Sequence, residues 1–163
     1  MSTRRKAVLS YKMTTADAND PEGRIPFGRQ FDFIGDVETE LMILNDGDES
    51  LCLGYTDVEL YEDAYIGDQL DFVAEMVKVG NTSRTCRIAT YKVATLASRM
   101  GKKDAKPGDM YYFEEPKLIS EGTVVLVVKK ELQRGEQPDG AVIDPWRELD
   151  LLSLIHISEP TRL

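Results

Sequence analysis

Two acidic side chains four residues apart, Asp36 and Glu40, sit in the stretch F-I-G-D-V-E-T-E-L-M-I-L-N, residues 33–45. In a helix that spacing places both on one face. A carboxylate pair can divide the work of accepting a proton and of holding a cationic group. The stretch itself predicts a helix, because Ile34, Val37, Leu41 and Leu44 form an apolar stripe at helical period. On this reading Gly35 loosens the entry, Asp36 is the N-cap, and Asp46-Gly47 closes the helix. Asp36 and Glu40 then flank the buried stripe, while Glu38 points to water. The N–H groups of Gly35, Asp36 and Val37, at the positive end of the helix, can hold an oxyanion. The plainer alternative is a helix cap and a surface glutamate. Glu59, on the strand-like run after the helix, is a third acidic candidate; its plainer alternative is an exposed strand position.

The choice of chemistry is narrow. The only histidine, His156, lies in L-S-L-I-H-I-S-E-P-T-R-L, residues 152–163. That segment reads as the translation of a transposase-end sequencing adapter, with the natural sequence stopping near residue 151. Without a histidine, proton transfer falls to carboxylates, hydroxyls, thiols or backbone groups. The two cysteines, Cys52 and Cys86, suggest neither a disulfide framework nor a metal site. Both lie in strand-like runs and are expected as buried, reduced thiols. Cys52 has no visible base or cation beside it to make it a nucleophile.

The elements that must position these groups are one helix and several strands. Strand-like runs cover residues 6–13, 49–61, 69–79, 82–93 and 117–130. Gly54 predicts a bulge or a close backbone approach, and Gly80-Asn81 predicts a hairpin turn. Residues 124–128 are apolar throughout and predict a central strand. Residues 14–30 read as a loop into the helix, 64–68 as a turn, and 99–116 as a polar, flexible insertion. The 163 residues, 42% hydrophobic and 30% charged, suit one soluble domain with a full core. A net charge of −9 argues against general binding to nucleic acid or to an anionic membrane. The basic N-terminus has no apolar run long enough for a signal peptide or a membrane span, so a cytoplasmic location is expected. One early helix followed by long strands predicts an α+β domain, an antiparallel sheet wrapped around one long central helix. An exposed sheet edge in such a domain is expected to be hidden by dimerisation.

The order helix, strand, A-Y-I-G-D-Q-L (64–70), long strand, V-G-N-T-S-R (79–84), long strand resembles the hotdog fold of acyl-CoA enzymes. More narrowly, G-D-V-E-T-E-L-M (35–42), D-G-D-E-S-L (46–51) and G-Y-T-D-V-E (54–59) are similar to the β-aminoacyl-CoA ammonia-lyases. Lys129-Lys130 with Gln133-Arg134-Gly135 adds to the likeness, which spans residues 7–135. Asp17-Ala18 and Arg29 match the family at their spacing. Asn19-Asp20 replaces the family's His-Tyr, and residues 99–112 have no clear counterpart.

The resemblance implies a hotdog domain over residues 1–135, a polar extension over 136–151 and the adapter-derived tail over 152–163. It implies elimination of ammonia from a 3-aminoacyl-CoA thioester, such as 3-aminobutyryl-CoA or β-alanyl-CoA, in amino-acid fermentation and lysine degradation. Asp36, Glu40 and Glu59 are then the acid–base candidates, and Gly35, Asp36 and Val37 the oxyanion donors. The backbone of Gly80, Asn81, Thr82 and Ser83 is expected to pair with pantetheine. Arg84, Lys129, Lys130 and Arg134 are expected at the phosphates. Coenzyme A enters as part of the substrate, with no separate cofactor and no metal. A homodimer or a larger homo-oligomer such as a hexamer is expected. The competing readings are an acyl-CoA thioesterase using the same carboxylates on water, an enoyl-CoA hydratase, and a non-catalytic acyl-CoA-binding module.

Overall fold

The computed structural model describes residues 5–136 together with residues 142–143. The chain runs β1 (Lys6–Lys12), β2 (Arg24–Ile25), α1 (Phe27–Asp46), β3 (Leu51–Leu60), β4 (Ala64–Tyr65), β5 (Gln69–Val79), β6 (Ser83–Leu96), β7 (Met110–Val127), β8 (Gly135–Glu136) and β9 (Val142–Ile143). Five strands form one antiparallel sheet in the order β1-β5-β6-β7-β3. β2 pairs with β4, and β8 with β9. The helix packs on one face of the large sheet, most closely against β5 and β1. This is the α+β hotdog arrangement expected from the sequence.

The helix begins at Phe27, not at residue 33, so residues 27–30 belong to it and not to the preceding loop. Pro26, at φ −57°, stands at the N-cap position. Its ring presets the dihedral that a helix needs next and keeps the residue before it extended, which is Ile25 of β2. Asp36 is therefore an interior helical residue and caps nothing. Gly28 and Gly35 are both carried inside the helix and break it nowhere. Each costs only about 1 kcal/mol there relative to alanine. The partly buried rings of Phe31 and Phe33, packed on the core, offset that cost. The predicted end holds: Gly47, at φ 71°, takes the left-handed conformation and donates its N–H to the Ile43 carbonyl at 2.9 Å.

The core lies between the helix and the sheet, where Ile34, Val37, Leu41 and Met42 meet Leu70, Phe72, Ile88, Val124 and Leu126. Phe33 stacks on Phe72 with centroids 5.2 Å apart, and Tyr11 lies 4.7 Å from Phe33. The predicted stripe is right for Ile34, Val37 and Leu41 but not for Leu44, which is exposed. Glu38, Met42 and Asn45 are buried in its stead. Longer helices rotate their buried face, and this one follows positions 34, 37, 38, 41, 42 and 45.

β5 has the predicted limits, and Gly80 closes the β5–β6 hairpin through its N–H to the Ser83 carbonyl at 2.8 Å. The central strand is β6, with β7 beside it, so the apolar run 124–128 lies next to the centre and not at it. The last seven residues of the predicted insertion, 110–116, are ordered strand: β7 pairs with β6 from Met110 opposite Leu96. Pro116 is tolerated in β7 because it falls where the register shifts between Lys92 and Ala94. Ala64 and Tyr65 form a short strand and not a turn. Cys86 is buried as expected, but Cys52 is exposed, because it lies on the edge strand β3. Among the described residues no helix is long and apolar enough to cross a membrane. The tail 152–163 with His156 lies outside the described residues, as does most of the predicted extension 136–151.

Candidate active site

A cleft of about 660 Å³ opens between the middle of α1 and the edge strand β3. Arg29, Asp32, Gly35, Asp36, Glu38 and Thr39 line it from the helix, Cys52 and Tyr55 from β3, and Glu49 and Ser50 from the connection between them. A Cβ at Gly35 would meet nothing within 4 Å, so that glycine keeps the helical wall of the cleft low.

Glu38 is the buried acid of this cleft, with 4% of its surface exposed. The hydroxyl of Tyr55 donates to it and lies 3.0 Å from both Oε1 and Oε2. Among the described residues no cation pairs with it. Burial raises its pKa to about 7, against the smaller downward pull of the Tyr55 hydroxyl. A carboxylate with that proton affinity is suited to accept a proton near neutral pH. Burial also raises the Tyr55 phenol, and the adjacent Glu38 charge raises it further, so Tyr55 stays protonated as a donor.

The structure exchanges the expected places of Glu38 and Glu40. Glu40 is exposed and does not line the cleft, because the buried face of the helix runs through 34, 38 and 42 and not through Leu44. The sequence signal for Glu38 is a glutamate four residues from Ile34 and four from Met42, inside an apolar stripe. Asp36 does line the cleft, half-buried. The N–H groups of Gly35, Asp36 and Val37 lie inside a helix that starts at Phe27, so they serve the helical ladder and are not the open donors an oxyanion needs. Glu59 is exposed on β3 opposite Glu121 and stands apart from the cleft.

At the entry to the cleft, Arg29 makes two hydrogen bonds to Asp17 Oδ1, at 2.8 and 2.9 Å, and one to Asp32 at 2.6 Å. Asp17 is buried, which works to raise its pKa. Hydrogen bonds from Thr14 and Arg29 outweigh that, and its pKa is lowered. Asp32, Asp36, Glu38 and Glu49 face one guanidinium, itself doubly paired, so the cleft carries surplus negative charge.

The expected coenzyme A contacts divide differently. Arg84 is fully buried and paired with Asp46, so it is not open to a phosphate. The hairpin backbone is largely committed within the chain. The Gly80 N–H and the Ser83 carbonyl close the turn, the Gly80 carbonyl accepts from Arg84, and the Asn81 carbonyl accepts from Gln133 at 2.7 Å. The Thr82 carbonyl accepts from the Val128 N–H at 2.9 Å. Lys129 and Lys130 are exposed, and Arg134 is half-buried with its guanidinium on the Leu132 carbonyl.

No protein-family model matches the chain. It is 32% identical over 129 residues to the 3-aminobutyryl-CoA ammonia lyase of Acetoanaerobium sticklandii, covering 79% of this chain and 98% of that one. It superposes on the β-alanyl-CoA:ammonia lyase of Clostridium propionicum with a TM-score of 0.72 and 35% identity, covering 83% of this chain and 92% of that one. A hexameric thioesterase of Yersinia pestis shares the fold at a TM-score of 0.58 and 15% identity, over 76% of this chain and 86% of that one. With this identity over nearly the whole of a curated relative, the chain belongs to the hotdog-fold β-aminoacyl-CoA ammonia-lyases, a family of carbon–nitrogen lyases.

Proposed function

We propose that this protein reversibly eliminates ammonia from a short 3-aminoacyl-CoA thioester, with 3-aminobutyryl-CoA or β-alanyl-CoA as substrate, and that Glu38 is the base. The observation that carries the reading is Glu38 itself: a buried carboxylate in a cleft, held by a neutral hydroxyl and paired with no cation among the described residues. Glu38 takes the proton from the carbon next to the thioester. The electron pair left on that carbon forms the new double bond, and the C–N bond breaks. The nitrogen leaves as ammonia with the bonding pair and is protonated to ammonium from Glu38 or solvent. The acids around the cleft attract the substrate's ammonium group, and Asp36 is placed to orient it.

The phosphates of coenzyme A are left to exposed cations, for which Lys129 and Lys130 are the candidates. A homodimer or hexamer is part of the proposal. β3 is a sheet edge that exposes Leu51 (63%) and Leu53 (74%), and open apolar edges are normally covered. Coenzyme A is also long for one small domain to enclose. The test is incubation with 3-aminobutyryl-CoA and with β-alanyl-CoA. Free ammonia with enoyl-thioester absorbance is expected, and its loss on dilution to monomer. Free thiol without ammonia would make the protein a thioesterase.

A further inference from the structure

We propose that Tyr55 is a positioning residue for the elimination, holding the Glu38 carboxylate in one rotamer through a hydrogen bond shared between its two oxygens. The inference rests on the reading of Glu38 as base, and it names a residue on the opposite wall of the cleft that acts through it.

The backbone is shaped to deliver this side chain. Along a regular strand, residues three apart point to opposite faces. Cys52 pairs opposite Leu126 and Tyr55 opposite Val124, and both partners are buried towards the helix. Residues 52 and 55 therefore share a face, because the register shifts between Cys52 and Gly54 and the extra residue resets the alternation. Leu53 is turned outward, with 74% of its surface exposed. Without the bulge, Tyr55 would leave the cleft. The ring is also braced: Phe31 meets it edge-on with centroids 5.1 Å apart, and Phe27 meets Phe31 edge-on at 5.2 Å. A side chain fixed by a bulge and an aromatic brace can hold a carboxylate still at little entropic cost.

A phenol suits this task better than an ammonium or guanidinium would. It donates one proton and adds no positive charge, so it orients the acid without removing its affinity for a proton. The guanidinium of Arg29, the one cation lining the cleft among the described residues, is held by Asp17 and Asp32 and makes no ion pair with Glu38. Cys86 of β6 is pushed up to about 12 by burial, and Cys52 of β3, exposed on the edge strand but partly enclosed where it lines the cleft, is raised as well, so both stay neutral. Asp32 and Asp36 on the same helix and Glu49 beyond its end are acids.

The experiment is Tyr55→Phe, which keeps the ring and its packing and removes only the hydroxyl. The first measurement needs no substrate: a carbon-13 titration of the glutamate carboxyls, with Glu38 assigned by the signal missing in Glu38→Gln. The Glu38 pKa should rise in Tyr55→Phe, since the donor that favours the charged form is gone. An unchanged pKa would overturn the proposal whatever reaction the protein catalyses. The second measurement is the pH profile of kcat/KM for ammonia release. It should fall roughly tenfold, with its acidic limb moved to higher pH. A fall with an unmoved limb would reduce Tyr55 to a packing residue. Absence of ammonia release in the unsubstituted protein, with the titration shift intact, would instead count against the lyase reading and leave the Tyr55–Glu38 pairing standing.

Discussion

Helix α1 carries two buried carboxylates, Glu38 and Asp46, and the fold treats them in opposite ways. Asp46 is fully enclosed and receives the Arg84 guanidinium side-on, Nε to Oδ2 at 2.9 Å and Nη2 to Oδ1 at 3.0 Å. Asn45 adds a third donor at 3.0 Å, and the remaining Arg84 donor reaches the carbonyls of Gly80 and Ser83. The Arg134 N–H closes on the Asp46 carbonyl at 2.9 Å. Every charge there has its partner, and the network ties the helix end to the β5–β6 hairpin and to the chain after β7. Glu38 has only the Tyr55 hydroxyl and a cleft in front of it. Full pairing makes a carboxylate a structural joint. Partial pairing leaves the cost of burying the charge in place, and that residual cost appears as proton affinity.

The largest expected effect is at the joint. Arg84→Met leaves Asp46 buried and unpaired, and should lower unfolding free energy by about 3–5 kcal/mol, read by chemical denaturation. Replacing both partners with apolar residues, as in Asp46→Leu with Arg84→Met, should recover most of that loss. A single variant as stable as the parent would mean that the two acids do not differ in the way described.

At Glu38 the expectation reverses. Glu38→Gln should cut turnover by about 10²-fold or more if this is the base, while stability at pH 8 rises. The sign follows from linkage. The folded pKa of about 7 lies above the ordinary value of 4.5. The native state therefore binds the extra proton between those values. The stability this confers is fully present below about 4.5 and is lost as pH rises through about 7. The loss is on the order of 3 kcal/mol, and Gln, which stays neutral, should flatten that part of the curve. Denaturation midpoints of the two proteins from pH 4 to 8 check it. A parallel pair of curves would refute the raised proton affinity, and near-parental turnover would move the base to Asp36.

The smallest effect is expected at Glu40, two residues away and exposed. Glu40→Gln should keep turnover within about twofold and stability within about 0.5 kcal/mol. A hundredfold fall there would return the base to the outer face of the helix.

Several features are legible in the amino-acid order alone. The helix end at Gly47, the limits of β5, the hairpin at Gly80 and the irregularity at Gly54 all follow from local rules: glycine's left-handed freedom, alternation of apolar residues, and turn chemistry. The helix start is not legible in the same way. Gly28 and Gly35 carry a local penalty that the burial of Phe31 and Phe33 overrides, and only packing reveals that burial. The rotational phase of the buried face is not legible either: Glu38 and Glu40 both lie at the margin of the stripe 34, 37, 41 and 44, and burial of Met42 and Asn45 in place of Leu44 turns Glu38 inward. The exposure of Cys52 escapes local rules for a related reason. A strand-like run says that a strand forms, not whether it lies at an edge.

An acidic α+β domain of hotdog type and the family whose motifs it carries are written in the chain. The acidic character and the α+β class follow from composition and periodicity, and the hotdog type and the family from the resemblance of its motifs. It took packing in three dimensions to decide that Glu38 and not Glu40 meets the cleft, that Arg84 belongs to Asp46, and that Tyr55 faces Glu38. Each of these depends on elements far apart in sequence, and two of them turn on a small step of phase: a helix face turned towards Met42 and Asn45 and away from Leu44, or a strand shifted by one residue. Local preferences are nearly indifferent to such a step. Burial of a whole face is not, and so the packed core sets the chemistry of the site.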